Sequence, residues 1–169
     1  MAATSPAFDD LGPVPTPEIP APATGSNRWL ALLQANEIDV SRWAAGQLEW
    51  VAAMMRTESG KIGAGAVSSK GARGLLQVMP GTADQVYGMG YTKYPPTPET
   101  LGTDAGGIYY GTAYLEYLSK QAPTTTNLDW ITKAYFGGPG WPLMGPNYQQ
   151  QCADYLALVK VNFEKNKRE

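Results

Sequence analysis

Apolar residues recur at helical spacing through most of the chain after residue 26. Between residues 48 and 58 they follow a 3.6-residue period, and one face of the predicted helix carries Leu48, Val51, Ala52 and Met55. Glu58 lies three residues after Met55 and seven after Val51, so it continues this apolar face. A Ser-Gly pair then ends the helix. The pattern therefore predicts a carboxyl group at the end of a buried helix.

Polar residues with capping side chains mark the starts of the other predicted helices. In chain order the predicted N-caps are Ser26, Ser41, Thr82, Thr103 or Asp104, and Asn127. The helices that they begin run through residues 29–33, 43–58, 83–87, 105–118 and 128–136, and a last helix carries Cys152, Tyr155, Val159 and Phe163. Residues 88–102 and 141–146 are predicted loops, and no alternating series long enough for a strand is present. The predicted fold class is mostly α.

The 169-residue chain is long enough for one domain with a substantial core. Residues 1–26 differ from the rest, because Ala and Thr alternate there with Pro13, Pro15, Pro17, Pro20 and Pro22. Such a segment disfavours helix and central strand and favours an extended, polyproline-like chain. We predict an extended Pro/Ala-rich arm or linker over residues 1–26 and a single domain over residues 27–169. The arm is either a flexible tether or a strap that docks on a partner.

Composition and charge exclude several classes of function. The formal net charge is −2 and charged residues make up 17% of the chain, so no nucleic-acid partner is predicted. The chain has no histidine, which excludes Ser-His-Asp and Cys-His triads and His-ligated zinc. We predict no metal site and no cofactor, and we assign the single cysteine, Cys152, to the core. No segment approaches the roughly 20 apolar residues of a membrane span, and no secretory signal peptide is visible.

The position of Glu58 favours a carboxyl that keeps its proton near neutral pH. An apolar face disfavours the anion through desolvation, and the negative end of a helix dipole disfavours it further. Such a group can protonate a poor leaving group, for example the bridging oxygen of a glycosidic bond. On its position alone, the alternative is an exposed glutamate at a helix end.

Four groups of motifs follow one another in the order typical of a known family. The first comprises Glu58-Ser59, Ser68, Gly71-Ala72, residues 74–80 and Thr82-Ala83. The others are Gly107-Ile108 with Gly111 and Tyr114-Leu115, then residues 134–140, then Gln151-Cys152 with Tyr155. Over roughly residues 36–160 the chain thus resembles the soluble lytic transglycosylases, whose goose-lysozyme-like domain cuts bacterial cell-wall glycan.

This resemblance implies a mostly α, lysozyme-like domain in which Glu58 is the single general acid and later the base. It also implies that the glycan strand is bound by Ser68, Gln77, Met79 and Tyr135. The implied reaction cleaves the MurNAc-GlcNAc β-1,4 bond of peptidoglycan with help from the substrate's own N-acetyl group, and it leaves a 1,6-anhydroMurNAc end.

A second carboxylate, about 5 Å from the first, is what an ordinary retaining glycosidase requires. The candidates, Glu99, Asp104, Glu116 and Asp129, all lie outside the motifs and are better explained as caps or solvated residues. A mechanism with one acid fits the sequence better.

The chain departs from the family pattern at several positions. Phe136 and Gly107 replace residues that are usually Asn, Gln151 replaces a Glu, and Leu76 replaces a Met. The change at Phe136 removes a polar group close to the acid, and it either lowers activity or provides a ring on which a sugar can stack. Glu58, Ser68, Gln77 and Tyr135 are all present, which favours a working enzyme.

The missing export signal and the proline arm together suggest where the protein acts. A cell-wall enzyme without its own export signal needs another route to its substrate, and a phage particle provides one. We expect a virion protein of the tail or ejection apparatus that binds other virion proteins through residues 1–26 and opens the wall locally in the host periplasm. Two alternatives stay open: a hydrolytic muramidase or endolysin, and a structural virion protein that uses the arm for docking.

Overall fold

The structure is a computed structural model that describes residues 27–168. The predicted arm over residues 1–26, the Ser26 cap and Glu169 lie outside the described residues, and the predicted domain boundary stays a prediction. The described part of the chain forms α1 (Arg28–Ala35), α2 (Leu48–Ser59), α3 (Pro80–Gly88), α4 (Pro98–Leu101), α5 (Asp104–Gln121), α6 (Leu128–Gly137) and α7 (Pro146–Lys167). Between residues 27 and 168 the only β pairing consists of isolated bridges, so the mostly α prediction is confirmed.

Two of the predicted caps begin their helices as expected. The Thr103 hydroxyl accepts a hydrogen bond from the Gly106 N–H at 2.9 Å, at the start of α5. The Asn127 side chain accepts one from the Trp130 N–H at 3.0 Å, at the start of α6. The described cap of α1 is Asn27, whose Oδ1 accepts from two backbone N–H groups. These side chains satisfy N–H groups that have no partner within the helix.

Other predicted boundaries are wrong. The Ser41 hydroxyl accepts from the Ala44 N–H at 3.3 Å in a separate 3₁₀ turn, Ala44–Gly46, and α2 begins only after that turn. Thr82 lies inside α3, because Pro80 occupies the first helical position, where a missing N–H has no cost. The predicted loop over residues 88–102 contains α4, and the one over residues 141–146 contains the 3₁₀ turn Trp141–Leu143.

The core is built around α2. Residues 51–55 of this helix are completely buried, and the helix packs against α7 and α1. Helix α6 packs between α5 and α7, and the Trp50 indole N–H donates to the Thr132 hydroxyl at 2.9 Å to join α2 to α6. None of the helices within residues 27–168 has both the length and the apolar character that a bilayer crossing requires. This packing brings the C-terminal end of α2 against α7.

The segment between α2 and α3 lies directly on α4 and α5 at positions that require glycine. Gly74 has a φ of +82°, and a side chain there would collide with the Leu101 carbonyl. Gly111 on α5 faces the Leu76 side chain, which would lie 2.5 Å from an added Cβ. Glycine at these two positions lets the segment approach the end of α4 and the side of α5 closely, which fixes the backbone on either side of Gln77.

Candidate active site

Glu58 lies in the last turn of α2 and is mostly buried. The Tyr155 hydroxyl donates a hydrogen bond to Glu58 Oε1 at 2.6 Å. Burial raises the pKa of Glu58 from its ordinary value of 4.5 to about 7, against the opposing effect of the Tyr155 hydrogen bond. Roughly half of the molecules therefore hold this proton at neutral pH. Such a carboxyl can serve as an acid in one step and as a base in the next.

Tyr155 is the neighbour of Glu58 that is absent from the site residues predicted above. It lies on the buried face of α7, on which the sequence placed Cys152 and Val159 as well. Its spacing predicts that it is buried, and its place in the last motif is a second signal. Neither signal identifies its partner, because 97 residues separate the tyrosine from Glu58.

Tyr135 on α6 lies close enough to Glu58 for the carboxylate charge to disfavour the ionised form of the tyrosine. Burial, first, and then the negative charge of Glu58 raise the pKa of Tyr135 well above its usual range. The same two causes, in the same order, raise the pKa of Tyr155. The Tyr135 hydroxyl donates to the Leu76 carbonyl at 2.6 Å and so ties α6 to the segment before α3. Both phenols thus remain neutral hydrogen-bond donors beside the acid.

Gln77 and Ser68 stabilise the segment between α2 and α3. Gln77 has a φ of +49°, and its amide nitrogen donates to the carbonyls of Ala66 and Gly74 at 3.1 and 3.0 Å. The Ser68 hydroxyl accepts from the Ala72 N–H at 3.0 Å. The left-handed backbone at a non-glycine residue is typical of a constrained functional segment. Sugar binding by Gln77 and Ser68 stays a prediction, and both side chains also have a structural role.

A pocket of about 310 Å³ lies beside these residues. Four of its ten lining residues are aromatic, and the wall comprises Gln77, Val78, Met79, Thr82, Tyr114, Tyr135, Phe136, Gly137, Gly138 and Tyr148. Three of the predicted site residues are in this wall: Gln77, Met79 and Tyr135. Glu58 is not in the pocket wall, but it is linked to it by Tyr155, which donates to Glu58 and stacks on Phe136 of the wall with ring centroids 5.2 Å apart. A second pocket of about 340 Å³, at the start of α2, contains none of the predicted site residues.

The four other candidate carboxylates do not join Glu58. Glu116 accepts from the Trp43 N–H at 3.2 Å, and Asp129 pairs with Lys160 at 3.3 Å on the surface. Asp104 is buried at the start of α5, and Glu99 is exposed on α4. Within residues 27–168, no carboxylate contributes to the shifted pKa of Glu58. In the same range no group of three or more His, Cys, Asp or Glu side chains is placed to hold a metal ion.

Comparison with known proteins supports the resemblance seen in the sequence. The family model described as the transglycosylase SLT domain matches residues 41–150. The chain is also similar to the 70 kDa soluble lytic transglycosylase from Escherichia coli, with a TM-score of 0.55 and 23% identity over 82% of this chain. The chain spans 22% of that protein's length. No curated protein sequence matches the chain.

The structural likeness shows a shared fold and confirms the lysozyme-like architecture predicted from the sequence. The matched residues 41–150 make up more than half of the chain and include Glu58, Ser68, Gln77, Met79 and Tyr135. The chain therefore belongs to the family of transglycosylase SLT domains.

Proposed function

We propose that the protein is a peptidoglycan lytic transglycosylase that cleaves the MurNAc-GlcNAc β-1,4 bond and leaves a 1,6-anhydroMurNAc end. The observation that carries the proposal is Glu58, a mostly buried carboxyl with a pKa of about 7 that accepts a hydrogen bond from Tyr155, whose ring stacks on Phe136 of the pocket wall. Membership of the family supports the same activity.

In the first step, protonated Glu58 gives its proton to the bridging oxygen while the bond from that oxygen to C1 of MurNAc breaks. The carbonyl oxygen of the substrate's own N-acetyl group bonds to C1 as the leaving sugar departs. Glu58 becomes a carboxylate in this step, and the Tyr155 hydroxyl, 2.6 Å away, stabilises the new charge. This hydrogen bond becomes stronger as the reaction proceeds, which is the requirement for catalysis rather than binding alone.

In the second step, the Glu58 carboxylate takes the proton of the muramyl 6-hydroxyl, and the oxygen of that hydroxyl attacks C1. The bond from C1 to the N-acetyl oxygen breaks, the 1,6-anhydro ring closes, and Glu58 is protonated again. No water is consumed and no second carboxylate is needed. This agrees with the absence of any carboxylate effect on Glu58 among residues 27–168.

The pocket wall suits a glycan strand. Aromatic rings such as Tyr114 and Tyr135 pack well against the apolar faces of sugar rings. Met79, which is 40% exposed, offers an adaptable apolar contact. We propose that these residues, with Gln77 and Ser68, hold the strand so that one glycosidic oxygen lies against Glu58.

The test of this function is the product profile from purified sacculi. The wild-type protein should release muropeptides that end in 1,6-anhydroMurNAc, identified by mass spectrometry. Glu58→Gln should lower the rate of clearing at least 100-fold, since general acid catalysis contributes about 10²–10⁴-fold. The matched control is Glu49→Gln, at an exposed position on the same helix, which should clear normally.

Two results would contradict the proposal in different ways. Reducing ends without the anhydro ring would identify a hydrolytic muramidase that uses the same acid. Normal clearing by the Glu58→Gln variant would place the active site elsewhere.

We further propose that the protein belongs to a phage particle, acts in the host periplasm, and docks on other virion proteins through residues 1–26. The composition of the segment supports this, because prolines restrict an extended chain and so reduce the entropy lost on docking.

Phage that encode the chain without residues 1–26 should assemble particles that lack this protein. Equal incorporation would rule out the arm as the docking segment. Infection that tolerates Glu58→Gln but not the deletion would favour the structural alternative.

A further inference from the structure

Phe136 occupies the last turn of α6 and is 46% exposed. It lines the pocket, and its ring stacks on Tyr155 with centroids 5.2 Å apart and planes at 24°. From the resemblance of residues 134–140 to the family pattern, an asparagine was expected at this position. An asparagine cannot stack in this way, so the contact with Tyr155 is particular to chains that have a ring here.

The stacked pair is connected directly to the acid. Tyr155 is 9% exposed, and its hydroxyl lies 2.6 Å from Glu58 Oε1. Phe136 contacts Tyr155 and also lines the pocket. A tyrosine hydroxyl is at the far end of its ring, so a small tilt of the ring lengthens and bends the hydrogen bond. A group that prevents this tilt therefore acts on Glu58 without touching it.

The backbone that carries Phe136 is held firmly against α7. At the next residue, Gly137, an added Cβ would lie 2.5 Å from the Cys152 sulfur, so α6 and α7 approach as closely as glycine permits. The Tyr148 hydroxyl also donates to the Gly137 carbonyl at 2.9 Å. The backbone of Phe136 is therefore held in place relative to α7, which carries Tyr155.

We propose that Phe136 is a positioning residue that keeps the Tyr155 hydroxyl on the Glu58 carboxyl by stacking on the tyrosine ring. The inference rests on the proposed function, in which Glu58 is the general acid. This role differs from that of a ring on which a sugar stacks, called here a sugar platform. A sugar platform acts on the bound strand, whereas a positioning residue acts on Glu58 before the substrate binds.

The two roles can be separated by titrating Glu58 in the free protein. Glutamate labelled with ¹³C at the carboxyl reports the pKa by NMR, and Glu58→Gln identifies the signal by removing it. Tyr155→Phe removes the hydrogen bond that lowers the pKa of Glu58, so it raises this pKa. Phe136→Leu keeps an apolar side chain but loses the ring. If Phe136 holds Tyr155 in place, this variant also raises the pKa, by roughly half a pH unit for a weakened hydrogen bond.

Three further variants complete the design. The double variant Phe136→Leu/Tyr155→Phe should titrate like Tyr155→Phe alone, because the ring then has no hydroxyl to position. Phe136→Tyr keeps the stacking and should restore the wild-type titration. Phe163→Leu is the matched control, because Phe163 is a phenylalanine on α7 that packs against Trp50, with ring centroids 5.4 Å apart and planes at 52°, and its loss should leave the pKa of Glu58 unchanged. Within residues 27–168, Tyr135 and Tyr155 are titratable groups whose charges interact with that of Glu58, and both stay protonated over the range titrated.

The outcomes decide the proposal without reference to catalysis. A pKa that is unchanged or lower in Phe136→Leu would overturn it, since a lower value indicates a ring that only excludes water. A double variant that titrates above Tyr155→Phe would also overturn it. On soluble glycan strands, Phe136→Leu should lower kcat about threefold or more with little change in KM, whereas a sugar platform would chiefly raise KM. Because the titration needs no substrate, a failed proposed function and a failed positioning role give different results.

Discussion

Two opposing effects act on the Glu58 carboxyl, and burial is the larger one. Burial disfavours the anion, whereas the Tyr155 hydroxyl favours it, and the resulting pKa is about 7. An acid with a raised pKa binds its proton more tightly in the folded protein than in the unfolded chain. The free energy of unfolding therefore falls as the pH rises from 4.5 through about 7, and the loss is complete above that range.

Glu58→Gln should therefore stabilise the protein at pH 8 and have little effect at pH 4. The difference between the two pKa values corresponds to a gain of up to about 3 kcal/mol at pH 8, because the amide cannot ionise but still accepts from Tyr155. Urea denaturation at the two pH values measures this. Glu49→Gln, at an exposed position on the same helix, should change little at either pH. Equal stability of Glu58→Gln and wild type at pH 8 would contradict the assigned pKa.

The sequence predicted the raised pKa of Glu58 but not the identity of the group that opposes it. The apolar face of α2 is a local signal, readable from residues 48–58 alone. The Tyr155 contact depends on how α7 packs against α2, and neither helix encodes that register locally. For the same reason, the place of Phe136 in a stack on Tyr155 could not be derived from its motif.

Among the secondary-structure elements, the prediction worked where a side chain caps a long helix and failed where a helix has no side-chain cap or is very short. Thr103 and Asn127 cap their helices as predicted. Helix α2 begins without any side-chain cap, and α4 has only four residues, too few for a helical period. The segment before α3 is held by bonds such as the Arg73 and Val78 backbone pair, which follow no sequence period. Its conformation depends on packing against α5.

Gly111→Ala should test this packing of the segment on α5. An added Cβ would lie 2.5 Å from Leu76 Cδ1 and 2.8 Å from Leu76 Cβ, so the segment has to shift. Overpacking of this kind costs about 1–3 kcal/mol of stability. Because the Leu76 carbonyl accepts the Tyr135 hydrogen bond, sacculus clearing should fall as well.

The matched control is Gly81→Ala in α3, where an added Cβ meets nothing within 4 Å. Alanine is favoured over glycine in helices by up to about 1 kcal/mol, so this variant should be as stable as wild type or slightly more stable. Chemical denaturation compares the two variants. If both show the same stability, the close approach at Gly111 is not what fixes the segment.

On the scale of the whole molecule, the hydrophobic core of residues 27–168 and the family match differ in extent. The match begins at residue 41, whereas the core of the structure includes Trp29, Leu32 and Leu33 of α1. Trp29 also contacts the guanidinium of Arg56 on α2, 4.8 Å from its ring centroid. The motifs predict the chemistry of the chain, and the apolar pattern from residue 27 onward predicts a folding unit that includes α1.

A chain that starts at Asn27 should therefore fold, and one that starts at Ser41 should not fold stably. The second truncation removes three core side chains, each of which contributes about 1.5–3 kcal/mol through burial, against a typical total stability of 5–15 kcal/mol. We expect the Asn27 chain to keep the thermal midpoint of the full chain and to clear sacculi at the same rate, and the Ser41 chain to lose about 10 °C or more. Circular dichroism melts compare the three proteins directly. If the Asn27 chain melts at a lower temperature than the full chain, residues 1–26 contribute to stability, and their deletion from phage would then test stability rather than docking. If the Ser41 chain melts at the same temperature as the full chain, α1 is dispensable and the folding unit coincides with the family match.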